Sequence, residues 1–222
     1  MPINIALDGP AGAGKTSVAD QVARELGILH LDTGAIYRAL GLKAQRKGLL
    51  RGNEAAIVAL CDSTVIDVQF SPEGQRTFLD GEDVSQAIRA PEVGQAASDV
   101  SAISAVRRHM VALQQEYARR LDLIMDGRDI GTHVLPEAKV KFFLTADPKE
   151  RARRRHLELT AKGVAISYEQ VLAELLARDS QDENRAVSPL RQAEDAMRID
   201  STNLNPSEVA EIILRRVREV YS

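Results

Sequence analysis

The chain has 222 residues, of which 44% are hydrophobic and 27% are charged, an ordinary balance for one folded α/β domain. The net charge of −3 at pH 7 argues against a broad nucleic-acid-binding surface. The single cysteine, Cys61, excludes an internal disulfide, and its apolar neighbours predict a buried thiol. The longest apolar run, residues 55–61, is far short of the ~20 residues that span a bilayer. The first residues lack the pattern of a secretory signal, so a cytoplasmic location is expected.

The basic residues are strongly biased towards arginine, with 22 arginines against 7 lysines. Arginine binds phosphate through planar, two-point contacts that lysine cannot make. The bias therefore favours phosphate recognition, and the codon usage of a GC-rich genome is the alternative.

The first forty residues predict a strand, a glycine-rich loop and a helix. Apolar and β-branched residues over 3–7 indicate a buried strand that ends at Asp8. Apolar residues recur at helical spacing over 18–26, and Gly27 is a helix stop. The loop between them fits G-x-x-x-x-G-K-[ST] through Gly9, Gly14, Lys15 and Thr16.

This loop has the composition of a phosphate cradle. Glycines let backbone N–H groups close around an anion, and the following helix directs its positive end at the same point. Lys15 can reach the β- and γ-phosphates of ATP, and the Thr16 hydroxyl can ligate Mg²⁺. The strand–loop–helix context disfavours the alternative of an accidental glycine-rich turn. The residues expected to bind ATP here are Gly9, Pro10, Ala11, Gly12, Ala13, Gly14, Lys15, Thr16 and Ser17.

The loop does not by itself specify a reaction. The N-K-x-D and D-x-x-G motifs of GTPases do not occur in the chain. The next landmark is LDTGAIYR, residues 31–38, where Asp32 or Thr33 can cap a helix whose apolar face begins at Ile36.

The middle of the chain predicts a small antiparallel excursion among βα units. Alternation over 65–70, a turn at 72–74 and a short run at 77–79 indicate a hairpin. Helices are expected over 91–100 and 106–117.

The second half predicts two further strands, at 121–125 and 140–144. Helices begin at Asp147-Pro148 and at Asn205-Pro206, where a capping residue precedes a proline. The first of these helices is rich in arginine over 151–155, for which a basic solvent-exposed face is one interpretation.

Several segments together resemble the bacterial cytidylate kinases, the CMP/dCMP kinases of the nucleoside monophosphate kinase family. They are GPAGAGKTS and DTGAIYR near the start, LDGEDVSQAIRAPEVGQAAS over 79–98, DGRDIGT over 126–132, RDSQDENRAVSPL over 178–190, and IDST over 199–202. The family often has Lys-Ser-Thr where this chain has Lys15-Thr16-Ser17, and either hydroxyl at position 16 serves. The resemblance covers essentially the whole chain.

The resemblance implies an α/β P-loop nucleoside monophosphate kinase fold, with a parallel five-stranded sheet flanked by helices. It implies one kinase domain over 1–222, with a β-rich monophosphate-binding insertion at about 36–105 and a lid at about 155–185. An ordinary hairpin without a ligand role is the alternative for the insertion.

The resemblance also implies roles for individual residues. Arg38, Arg128 and Arg185 match positions that hold the acceptor phosphate. Ser98, Arg107 and Asp129 match positions that recognise cytosine. Residues expected near the sugar or lining the monophosphate site are Arg178, Asp182, Thr33 and Tyr37. Arg154, alone or with Arg151, is expected to contact ATP in a closed lid.

Among these residues, Lys15, Arg128, Asp129 and Arg185 are the expected catalytic group. An ion pair between Arg128 and Asp129 at the surface is the alternative for those two. For residues 178–185 the alternative is a solvated, charged helix end. For Arg107 it is charge on a helix surface.

The implied reaction transfers the γ-phosphate of ATP to CMP or dCMP, with Mg²⁺ as cofactor. The acceptor phosphate has a second pKa near ~6, so it is largely ionised and needs no general base. The four histidines are therefore expected to be structural. A related kinase acting on UMP, AMP or shikimate and a non-catalytic ATP-binding switch are the alternatives. A monomer without nucleic-acid or membrane partners is expected.

Overall fold

The computed structural model describes residues 2–49, 53–71 and 74–221. The described strands are β1 (Asn4–Asp8), β2 (Leu29–Asp32), β3 (Ile66–Ser71), β4 (Gly74–Leu79), β5 (Glu82–Asp83), β6 (Leu123–Gly127), β7 (Val140–Thr145) and β8 (Met197–Asp200). The described α-helices are α1 (Lys15–Leu26), α2 (Thr33–Arg46), α3 (Glu54–Asp62), α4 (Pro91–Ser101), α5 (Ser104–Arg120), α6 (Pro148–Ala161), α7 (Tyr168–Asn184) and α8 (Pro206–Tyr221). Short 3₁₀ and π-helical turns occupy Ala87–Arg89 and Ile130–Val134.

A five-stranded sheet carries the fold, with strand order β2-β6-β1-β7-β8. β1 pairs in parallel with β7, from Ile5 opposite Val140 to Asp8 opposite Phe143. β7 pairs in parallel with β8. This confirms the predicted α/β class with a parallel sheet flanked by helices. Because parallel strands end at one edge, the segments after β1, β7 and β8 leave from the same side.

A separate sheet of order β3-β4-β5 is antiparallel. β3 and β4 form the predicted hairpin, with Ile66 opposite Leu79 and Ser71 opposite Gly74. The two residues between these strands, Pro72 and Glu73, belong to the predicted turn and lie outside the described residues.

The chain divides into two compact units. The first comprises residues 1–3 and 29–123, and the second comprises residues 4–28 and 124–222. In the first unit α2 packs against α4, with the antiparallel sheet nearby. In the second unit α1 packs against α8, and α6 packs against α7. The domain boundaries expected from the sequence stay a prediction.

Local signals place the helix ends. Gly27 ends α1 in the left-handed conformation, with φ of 66°, and its N–H contacts the carbonyls of Ala23 and Arg24. Asp32 caps α2 by accepting from the Ala35 N–H, and Asp147 caps α6 in the same way. Asn205 accepts from the N–H groups of Ser207 and Glu208 at the start of α8. All four helix ends confirm the predictions.

The core matches the predicted apolar patterns. Ile5, Ala6 and Leu7 of β1 are fully buried, and Cys61 is a free, buried thiol, as predicted. Among the described residues, none of the helices is long and apolar enough to cross a membrane.

Candidate active site

The glycine-rich loop joins β1 to α1, as predicted. Gly9 has φ of +151°, and a Cβ at this position would lie 2.0 Å from the carbonyl oxygen of Leu144 on β7. Gly14 caps α1 in the left-handed conformation, with φ of 90°. The loop therefore turns directly over the end of β7 and presents its backbone at the start of α1, where N–H groups favour an anion.

Lys15 is buried at the first position of α1. Its Nζ donates to the carbonyls of Gly9 and Pro10, at 2.8 Å each. Burial, and then the nearby charge of Arg128, lowers the pKa of Lys15 to about 7. A phosphate beside this amine would favour its charged form, because an opposite charge raises the pKa of a lysine.

Thr16 lies next to a carboxylate that is not among the predicted site residues. Its Oγ1 donates to Oδ2 of Asp126, a buried residue near the end of β6, at 2.9 Å. A hydroxyl and a carboxylate are hard oxygen ligands of the kind that Mg²⁺ takes in P-loop proteins. The donor set fits Mg²⁺. The sequence signal for Asp126 was its place directly after a run of apolar strand residues.

A second carboxylate outside the predicted site residues, Asp8, holds the turn that follows β6. Its two oxygens accept from the N–H groups of Ile130 and Gly131, at 2.7 Å each. Burial raises the pKa of Asp8 to about 6, although these two hydrogen bonds act in the opposite direction. Asp8 thereby fixes the backbone just after Arg128 and Asp129.

Four of the predicted site residues form a buried network in the second unit. Arg128 Nε contacts Asp182 Oδ2 at 2.9 Å, and Arg185 Nη2 lies 3.4 Å from Asp129 Oδ1. Arg185 Nη1 is also 3.8 Å from Asp182 Oδ1. Burial alone would raise the pKa of Asp182, but Arg128, Arg178 and Arg185 hold it below its usual range. Arg128 and Asp129 thus each pair with a residue at the end of α7 or just after it.

This network is suited to binding an anion. Arg128 and Arg185 bring two guanidinium groups to neighbouring carboxylates, and Arg178 is one helical turn before Asp182 on α7. Guanidinium groups exchange carboxylate for phosphate readily, because both anions accept two parallel hydrogen bonds.

Arg154 lies apart from this network. Its Nη2 donates to the carbonyls of Ser201 and Thr202 at 2.6 and 3.2 Å, and its Nε contacts Glu150 at 2.9 Å. Arg154 therefore anchors the segment between β8 and α8, and its expected contact with ATP stays a prediction.

The other predicted residues lie in the first unit, on α2, α4 and α5. The guanidinium of Arg107, only 2% exposed, lies 5.4 Å from the ring centroid of Tyr37. Ser98 is 5% exposed, and its hydroxyl has no hydrogen-bond partner among the described residues. A buried hydroxyl of this kind is a candidate ligand atom.

Two further residues of this group lie in the first two turns of α2. Thr33 is buried at its first position, and Arg38 Nη2 contacts Asp32 Oδ2 at 2.6 Å. The first unit therefore brings Tyr37 and Arg107 together and holds Arg38 against the helix cap.

Comparison with known proteins identifies the family. The sequence profile of the cytidylate kinases matches residues 5–219. A cytidylate kinase from Caldicellulosiruptor bescii is 51% identical over 212 residues, 96% of this chain and 94% of the relative. Another, from Geobacter sp. strain M21, is 46% identical over 217 residues, 97% of this chain and 92% of the relative.

A solved structure that resembles this chain supports the fold but says nothing of the reaction. A gluconokinase from Sinorhizobium meliloti 1021 has a TM-score of 0.50 and 14% identity, covering 99% of this chain and 94% of that one. With the profile match and the two relatives, the conclusion is that this chain belongs to the cytidylate kinase family.

Proposed function

We propose that this protein transfers the γ-phosphate of ATP to CMP or dCMP, giving ADP and CDP or dCDP. The observation that carries the proposal is the second unit's combination of a phosphate loop, the Thr16–Asp126 pair and a buried arginine–carboxylate network. Membership of the cytidylate kinase family supports the choice of acceptor.

The chemistry needs alignment and charge neutralisation more than proton transfer. An ionised acceptor phosphate attacks the γ-phosphorus in line, and the bond to the β-phosphate oxygen breaks. Lys15 and the loop amides hold the β- and γ-phosphates. Thr16 and Asp126 would hold Mg²⁺, and the ion would neutralise charge on the donor phosphates. Arg38, Arg128 and Arg185 are assigned to the acceptor phosphate.

Cytosine offers one amine donor and two acceptors. We assign Asp129 to the N4 amine, and Arg107 with Ser98 to the acceptor atoms. Arg178 and Asp182 are assigned to the sugar, and Thr33 and Tyr37 to the wall of the monophosphate site. The Asp129 carboxylate can accept from the amine, and Arg107 and Ser98 can donate to the two acceptor atoms of the base.

The segment 155–185 is proposed as a lid that excludes water. Within it, α6 and α7 pack through Leu159 and Val171, with Val164 and Ile166 of the connection covering that contact. The end of the hairpin around this connection can close over the site while its base stays against the phosphate loop, and closure would reduce transfer of phosphate to water. We propose a cytoplasmic monomer that acts on small molecules.

The test is steady-state formation of ADP with a panel of acceptors. CMP and dCMP should accelerate ADP formation well above the rates with UMP, AMP or shikimate. Faster turnover with another acceptor would identify a different kinase of the same fold. Slow ADP formation at the same rate with and without each acceptor would support the ATP-binding switch.

A further inference from the structure

Both backbone polar groups of one phosphate-loop residue contact the same buried ion pair. The carbonyl of Ala11 accepts from Arg151 Nη1 at 2.9 Å, and the N–H of Ala11 donates to Asp179 Oδ1 at 3.3 Å. Arg151 Nη1 and Asp179 Oδ2 are 2.6 Å apart. Ala11 is thereby held on both sides by charges from α6 and α7.

The pair is buried and well satisfied. Arg151 is 4% exposed and Asp179 is 7% exposed. Arg151 Nε also donates to the carbonyl of Ala146, at 3.0 Å. Burying two charges costs much of what their attraction returns, so such a pair is weak evidence for a role in stability alone. The contacts of the pair with the Ala11 backbone indicate that it sets the conformation of the loop.

The next loop residue is packed against the same two helices. A Cβ added to Gly12 would lie 3.3 Å from Leu175 Cδ1 on α7 and 3.4 Å from Arg151 Cβ on α6. The loop from Ala11 to Gly12 therefore rests closely on the α6–α7 hairpin. Helix α7 also carries Arg178 and Asp182, on either side of Asp179.

We propose that Arg151 and Asp179 are positioning residues that hold the phosphate loop in the shape that ATP requires and tie it to the α6–α7 hairpin. The inference rests on the proposed function, because it assigns ATP to this loop. It adds a link between the donor loop and the helix that carries proposed acceptor residues.

Kinetics of two single variants and one double variant test the proposal. Arg151→Met and Asp179→Leu each leave one buried charge unpaired, so each should lower Tm and raise KM for ATP about tenfold or more. The double variant removes both charges and should recover much of the lost Tm. It should keep the raised KM for ATP, because the backbone groups of Ala11 still lack partners, while KM for CMP changes less than about threefold.

The control is Asp195→Asn, which removes another ion pair of the same unit. Asp195 contacts Lys141 at 2.8 Å, and this variant should leave KM for ATP unchanged. A double variant with wild-type KM for ATP would overturn the proposal. Equal increases in KM for ATP and CMP would do the same.

Amide hydrogen exchange gives a second test that needs no variant. In the wild-type protein without nucleotide, the Ala11 N–H should exchange as slowly as amides inside α6 and α7. Exchange at the rate of an unprotected peptide would overturn the inference. If the wild type does not phosphorylate CMP, the proposed function fails, and the exchange result still decides whether the ion pair holds the loop.

Discussion

Thr16 and Asp126, 110 positions apart, are joined by a hydrogen bond of 2.9 Å from the threonine Oγ1 to the aspartate Oδ2. The contact brings the start of α1 to the end of β6, so one hydroxyl from the helix and one carboxylate from the strand lie side by side. Both groups offer the hard oxygen atoms that Mg²⁺ prefers, and both lie directly beside the phosphate loop.

We expect Asp126→Asn to lower kcat about a hundredfold, because an amide keeps the shape of the carboxylate and loses its charge towards Mg²⁺. A titration of kcat against Mg²⁺ should show a higher Mg²⁺ requirement and partial recovery at high concentration. The control is Asp122→Asn, because the Asp122 carboxylate accepts from the Ile3 N–H and is not assigned to Mg²⁺. An unchanged Mg²⁺ dependence for Asp126→Asn would assign this aspartate to structure only.

Asp129→Ala should reduce the selectivity for CMP among acceptors more than it reduces the affinity for ATP. Asp129 is buried, with Arg185 Nη2 at 3.4 Å, and it is the group assigned to the N4 amine of cytosine. kcat/KM for CMP should fall at least about tenfold, and the preference for CMP over UMP should shrink. The measurement is kcat/KM for CMP, UMP and AMP at saturating ATP. A loss of equal size for all three acceptors would contradict the assignment.

Gly41→Ala should damage the CMP side of the reaction through packing. A Cβ at this position of α2 would lie 2.8 Å from the Ala97 nitrogen and 2.9 Å from the Ala96 carbonyl carbon, both backbone atoms of α4. Because α4 must move away, we expect a loss of about 1–3 kcal/mol in the free energy of unfolding. KM for CMP should rise as Ser98 moves with α4.

The matched control is Gly94→Ala on α4, the partner helix, where an added Cβ meets no neighbouring atom within 4 Å. That substitution should stabilise the protein by about 0.5–1 kcal/mol, since alanine favours a helix over glycine. Urea unfolding and steady-state kinetics on both variants measure the effects. If the two variants have the same free energy of unfolding and the same KM for CMP, the close approach of α2 and α4 has no role in function.

Asp8 should give stability a measurable pH dependence. Burial raises its folded pKa to about 6, above the usual value of 3.8, so the folded state binds more protons between these values. The stability that comes from protonated Asp8 is fully present below pH 3.8 and is lost as pH rises through about 6.

Relative to Asp8→Asn, which does not titrate, the wild type should lose about 2 kcal/mol between pH 4 and pH 6.5. Urea unfolding of both proteins at pH 4, 5, 6 and 7 measures this difference. Parallel curves, or a wild type that gains stability over this range, would contradict the raised pKa.

Local sequence signals predicted much of the fold. The strand before the phosphate loop, the stop at Gly27 and the caps at Asp147 and Asn205 depend on neighbouring residues, and the structure confirms them. The short strand β2 and the helices α3 and α7 were not predicted. Helix α7 does begin with a local signal that the prediction missed, a capping box in which the Ser167 hydroxyl accepts from the Gln170 N–H and the Gln170 side chain accepts from the Ser167 N–H. The pairing of β2 in the sheet, in contrast, is not specified by any local pattern.

The partners of the site residues could not be predicted for the same reason. Arg128 and Asp129 are neighbours, so a mutual ion pair was one interpretation. The structure instead pairs Arg128 with Asp182 and Asp129 with Arg185. The roles of Asp8 and Asp126 likewise appear only when the ends of β1 and β6 are placed in space.

We claim that the phosphate loop around Lys15 delivers the γ-phosphate of ATP to CMP, and a single-turnover reaction with ATP labelled at that phosphate can follow this transfer. We expect the label to appear in CDP, with little inorganic phosphate, and we expect folded Lys15→Ala protein to transfer none. Label released as inorganic phosphate whether or not CMP is present, or undiminished transfer by Lys15→Ala, would contradict the claim.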